Sequence, residues 1–78
     1  MITWHPTGTG SEAASVTVGG VTIARLLARS NAWQIEHHGG LKAGPANSVP
    51  NAKRTALQEL AAVLTDAAFE VDVALRST

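Results

Sequence analysis

The chain has 78 residues, six basic and six acidic side chains, and no cysteine. A chain of this length makes one small domain and buries only about 60–65% of its unfolded surface, so its core is thin. Zero net charge leaves no strong field to attract nucleic acid or anionic lipid, and the lack of cysteine excludes a disulfide framework, a cysteine zinc site and a thiol nucleophile. A hydrophobic share of 45% with 15% charged residues argues against disorder.

Alanine, glycine, arginine and proline together supply 28 residues, against 10 for Phe, Tyr, Met, Ile, Asn and Lys. Arg and Ala thus stand where other genomes use Lys and Ile, a high-GC, bacterial or phage-like composition. The start, Met1-Ile2-Thr3-Trp4-His5-Pro6, has no basic segment followed by an apolar run of about 7–15 residues. The longest uncharged apolar run, Leu60 to Leu64, is far short of the roughly 20 residues of a membrane helix. The expectation is a cytoplasmic protein with no membrane partner.

In chain order, residues 1–13 read as a short strand at Ile2–Trp4 and a loop, Pro6 to Ser11, of turn chemistry. Neither a preceding strand of useful length nor a closing lysine makes that loop a phosphate cradle. Val16-Thr17-Val18-Gly19-Gly20-Val21-Thr22-Ile23 is the clearest local signal: two β-branched, alternating segments joined by two glycines. This hairpin sets Val18 opposite Val21, Val16 opposite Ile23 and Thr17 opposite Thr22.

Ile23 to Arg29 fits a helix, with Ile23, Leu26 and Leu27 as its stripe, but fits better as a continuing strand that returns as Trp33 to His37. A three-residue loop, Ser30 to Ala32, sets Leu27 opposite Ile35. A two-residue loop sets Leu26 opposite Ile35 and requires a bulge near Ala24. Gly39-Gly40 reads as a second tight turn, with Leu41–Ala43 a stub strand at the edge.

Gly44 to Asn51 reads as a linker in which Ser48 or Asn51 caps a helix and Pro50 occupies its first turn. The helix is expected over 52–67, with Leu57, Leu60, Ala61, Leu64 and Ala68 on one stripe. Leu57, Leu60 and Leu64 should face the sheet beside Trp33 and Ile35. From Phe69 to Arg76, apolar residues fall on every odd position, so the period of two predicts a final strand over 69–76. The fold class expected is α+β: a small antiparallel sheet, comprising a three-stranded meander over 14–43 and the C-terminal strand, with the helix packed on one face.

His37 and His38 are adjacent, so on a strand they point to opposite faces and cannot share a metal. Glu36 and His38 share a face, with His5 a conceivable third ligand, but no further ligand cluster completes a site. A lone histidine suits general acid–base work in a small nuclease, yet no second catalytic partner lies beside it. No cofactor motif is present, and no enzyme activity is expected. Lys53 and Arg54 sit in the first turn of the expected helix, against its dipole. With Lys42 upstream they could form an anion or nucleic-acid contact.

The stretch from Gly44 to Lys53, following a strand and opening a helix, distantly resembles the last third of a double-stranded RNA-binding domain. Gly44, Ser48, Ala52 and Lys53 match that family's spacing, while Val49 and Pro50 stand where two of its lysines belong. The resemblance implies phosphate contacts from the helix N-terminus.

Two functions follow as expectations. The first is a non-enzymatic interaction or regulatory module that binds a protein partner or forms a homo-oligomer. Its surface would be a sheet edge or an uncovered sheet face poor in bulk (Thr17, Thr22, Ala24, Ala28, Ala74), with Phe69, Val71, Val73 and Leu75 the first interface candidates. The alternative is a weak RNA- or DNA-binding module using Lys42, Lys53 and Arg54.

Overall fold

The computed structural model describes residues 2–37 and 39–76. It is an α+β fold: five strands in an antiparallel meander, β1 (Trp4–Gly8), β2 (Ser11–Val18), β3 (Val21–Arg29), β4 (Ala32–His37) and β5 (Gly40–Pro45), followed by one helix, α1 (Val49–Arg76). Each strand pairs only with its sequence neighbours.

The Gly19-Gly20 turn forms as its sequence demands, with φ of 60° and 82°, values that a β-branched residue adopts only under strain. Val18 faces Val21 and Thr17 faces Thr22, but Val16 pairs with Ala24 rather than Ile23. Ile23 is the extra residue of a bulge, which switches the parity of β3. Beyond it, Ala24, Leu26 and Ala28 turn to the buried side, at 3%, 1% and 0% exposure. The β3–β4 connection is the two-residue loop Ser30-Asn31, and Leu26 pairs with Ile35. Loop length and bulge therefore act together, as the shorter loop requires.

Two expectations fall at the sheet edges. The N-terminal strand is not Ile2–Trp4 but Trp4–Gly8, and it runs through the segment expected to be a loop. The stub at Leu41 is a six-residue strand that takes in Gly44 and Pro45. The meander consequently has five strands rather than three. Gly44 lies opposite Trp33, and a Cβ built on it would stand 2.7 Å from Cζ2 of the indole. The glycine is what lets the ring lie flat across β5.

The helix begins at Val49, three residues earlier than expected. Ser48 Oγ accepts the Asn51 backbone N–H at 3.2 Å, and Asn51 Oδ1 accepts the Asn47 N–H at 3.4 Å. These bonds cap the N-terminus, and Pro50 sits where its missing donor costs nothing. The backbone bond from Ala46 N–H to Asn31 O, 3.0 Å, starts the helix at the β3–β4 turn. From there α1 crosses one face of the sheet toward the Gly19-Gly20 end.

The larger correction is at the other end. No strand exists at 69–76: α1 continues unbroken to Arg76. A strand there would need a sheet edge to satisfy its backbone, whereas a helix satisfies its own. No glycine, proline or asparagine interrupts residues 52–76, so nothing stops the helix once started. The core is Ala14, Val16, Ala24, Leu26, Ala28, Trp33, Ile35, Ala52, Ala56 and Leu60. Of the three leucines expected to face the sheet, only Leu60 is buried; Leu57 and Leu64 are 36% and 43% exposed.

Candidate functional site

Chemistry-bearing residues are scattered by this fold. Lys42 Nζ lies 2.7 Å from Glu59 Oε2, and Lys53 Nζ lies 2.9 Å from Glu12 Oε2 and 5.5 Å from the Trp4 ring centroid. Both pairs tie α1 to flanking strands, β5 on one side and β1–β2 on the other. Partly exposed pairs of this kind contribute at most about 1 kcal/mol each. Because α1 starts at Val49, Lys53 and Arg54 occupy its second turn, not the first, so they oppose the dipole less than expected. Arg54 is exposed, and no ion pair reaches it among the described residues.

His5 is on edge strand β1, and His37 is on β4 with β2 and β3 between them. His37 Nδ1 accepts the Gly39 N–H at 3.1 Å. His38, and with it the Glu36–His38 pair, lies outside the described residues. Among the described residues, no three His, Asp or Glu side chains gather as a metal-binding group. No described helix is long and apolar enough to cross a membrane.

What the fold does assemble is uncovered surface, in two places. The first is the sheet face opposite α1. The pairing Ala13–Leu27–Gln34–Ala43 runs across its middle, and Ser15–Arg25–Glu36–Leu41 runs beside it. Shallow depressions lie on either side of the first row, one toward the second row and lined by His5, Ala13, Ser15 and Arg25, another on the far side and lined by Leu27, Arg29, Gln34 and Ala43. The face is not the bulk-poor surface expected: it carries Leu27, Gln34, Arg25, Glu36 and Leu41. Ala24 and Ala28 are in the core because the bulge at Ile23 reversed their side, and Ala74 is on the helix.

The second place is the latter half of α1. The molecule measures 50 × 26 × 18 Å, and a 28-residue helix is about 42 Å long, so α1 outruns the sheet. From Ala68 to Arg76 every residue is exposed. Phe69 (68%), Val71 (60%), Val73 (46%) and Leu75 (71%) are among them. The four interface candidates from the sequence are thus exposed together, but on a helix rather than a strand edge. At about 100° per residue, Val71 and Leu75 share one side with Leu64, while Phe69 and Val73 lie on the opposite side. Asp72 pairs with Arg76 at 3.0 Å one turn on.

The signal that would have found this surface is a second apolar repeat. Val49, Ala52, Ala56, Leu60, Val63 and Ala67 are buried or half-buried, whereas Leu57, Ala61, Leu64, Ala68, Val71 and Leu75 are all exposed. The expected single stripe mixed members of both.

In the double-stranded RNA-binding family the chain would carry a helix ahead of its strands; here the described residues before α1 form strands β1 to β5 and no helix, so the resemblance stops at the capped start of α1. No family model, no curated protein and no solved structure matches the chain.

Proposed function

We propose that the chain is a small non-enzymatic interaction module that binds a protein partner, or a second copy of itself, through the latter half of α1. One observation carries this reading. Leu64, Val71 and Leu75 are exposed on one side of the helix, with Phe69 and Val73 exposed on the other, while the first half of the same helix buries Ala52, Ala56 and Leu60 almost completely. Helices gain most of their stability from packing an apolar face, and an apolar patch of this kind on a small soluble domain marks an interaction surface. The sheet edges are poorer candidates. Pro6 lies in edge strand β1 and Pro45 ends edge strand β5, each removing a backbone donor that strand addition would use.

The nucleic-acid reading is weaker, since Lys42 and Lys53 are each held by a carboxylate, which leaves Arg54 alone of its three cations outside an ion pair among the described residues.

The test is the double variant Leu64→Asp/Val71→Asp in dilute protein. If this face exists for binding, the variant keeps the parent's helical circular dichroism and melting temperature. A large drop in melting temperature at the same dilution sinks the reading, because the face would then belong to the monomer's own core.

A further inference from the structure

We infer that the exposed seam of α1 pairs with the same seam of a second copy, the two helices running antiparallel; this rests on the reading of α1 as the binding face and names its partner. Leu57, Ala61, Leu64, Ala68, Val71 and Leu75 follow one another at intervals of four, three, four, three and four residues, and all six are exposed. Alternating steps of four and three residues are the heptad spacing that keeps two helices in contact along their length. It is separate from the sheet-facing row, so both can be filled at once.

The seam is self-complementary in one orientation. Set about a two-fold axis at residue 66, Leu57 meets Leu75 of the partner subunit, Ala61 meets Val71 of the partner subunit, and Leu64 meets Ala68 of the partner subunit. Each of the two central layers on either side of the axis sets a large side chain against an alanine, so the helices can approach closely. A two-fold contact of this kind uses the same patch on both copies and closes on itself.

Charge favours the second copy as occupant. Seen along the helix at about 100° per residue, Glu59, Asp66 and Glu70 lie about 140–180° from the centre of the seam. Acidic repulsion between two copies is therefore directed away from the contact. The flank beside the seam carries Arg54, Gln58, Thr65, Asp72 and Arg76, two cations and one anion, with Asp72 and Arg76 already paired. The antiparallel setting brings Gln58 within two residues' rise, about 3 Å, of both Asp72 of the partner subunit and Arg76 of the partner subunit. A parallel setting would instead stack each leucine and each alanine on its own kind and leave gaps at the alanine layers.

A seam from Leu57 to Leu75 is about 27 Å long at 1.5 Å per residue. A single helix pair of that length falls at or below the low end of stable interfaces, about 1,200 Å², so the dimer is concentration-dependent rather than permanent.

Sedimentation of the full chain from nanomolar to high-micromolar concentration, with variants, tests this. The parent should pass from monomer to dimer across that range, and Leu64→Asp should remain monomeric throughout while keeping the dilute parent's helicity. Orientation is read by disulfide trapping, for which the natural chain supplies no competing thiol. An Ala61→Cys protein mixed with a Val71→Cys protein should cross-link to each other in preference to themselves. A parent monomeric at every concentration overturns the inference while leaving the dilute-melt test of the binding face unaffected. A dimer insensitive to Leu64→Asp, or Ala61→Cys cross-linking chiefly to itself, overturns it as well.

Discussion

The two halves of α1 belong to one unbroken helix, yet they meet different fates. Residues 49–60 lie on the sheet and contribute Ala52, Ala56 and Leu60 to the core. Residues 61–76 contribute none and end in nine exposed positions. The first half contacts the sheet mainly through alanines, which let the helix axis approach β3 and β4 closely. The second half carries bulkier Leu, Val and Phe side chains and nothing to set them against. Apolar side chains in a helix therefore mark a core only where a facing layer exists; elsewhere the same residues are a surface seeking a partner.

The sharpest way to break this comparison is a matched pair of leucine truncations. Leu60→Ala should cost about 2–5 kcal/mol, a large share of what so small a domain possesses. Leu64→Ala, one turn further on, should stay within about 0.5 kcal/mol in dilute protein. Equal melting temperatures for the two would erase the distinction between the halves.

A smaller effect is expected beneath the first half, where Gly44→Ala pushes a methyl group into the Trp33 ring at 2.7 Å. Overpacking of this kind costs about 1–3 kcal/mol. It should also shift the tryptophan emission, because the indole must tilt toward solvent. An unchanged melt and spectrum would mean that the ring moves freely and that Gly44 is incidental.

Below that lies the cap. Ser48→Ala removes the acceptor of the Asn51 N–H and should cost about 1 kcal/mol, seen as faster amide exchange over the first turn. Loss of protection starting instead at the C-terminal end would place the control of the helix elsewhere.

The smallest effect separates helix from strand. Val73→Lys and Asp72→Lys should both lie within about 0.5 kcal/mol of the parent, as surface substitutions do. In an edge strand Val73 would point inward and its lysine variant would be far worse than its neighbour's. A large gap between the two melts would restore the strand.

Where local chemistry decides, the sequence was readable. The Gly19-Gly20 turn needs only two residues free to take positive φ. The cap needs only an oxygen three residues before an amide, and Ser48 is one of the two cap residues that the sequence offers, with Asn51. Trp33 and Ile35 as core residues follow from alternation along one strand.

The misreadings all involve choices between locally equivalent options. Val16 could pair with Ile23 or Ala24, and only the need to present Ala24, Leu26 and Ala28 to a helix settles on the bulge. Phe69 to Leu75 alternates as a strand does, but the segment follows a helix with no stop signal, and the sheet's edges are occupied by β1 and β5. The candidate interface was read correctly as apolar and wrongly as a strand, for the same reason.

By itself, then, the sequence determined the elements that close within a few residues: the glycine turn, the capped helix start and the alternating strands of an α+β domain. Only the tertiary structure decided the parity of β3, which leucines the sheet covers and how far α1 outruns it. Those depend on where a neighbouring layer ends, and the extent of that layer is set by strands β1 to β5, outside the helix's own sequence. No periodicity within a single segment encodes that boundary.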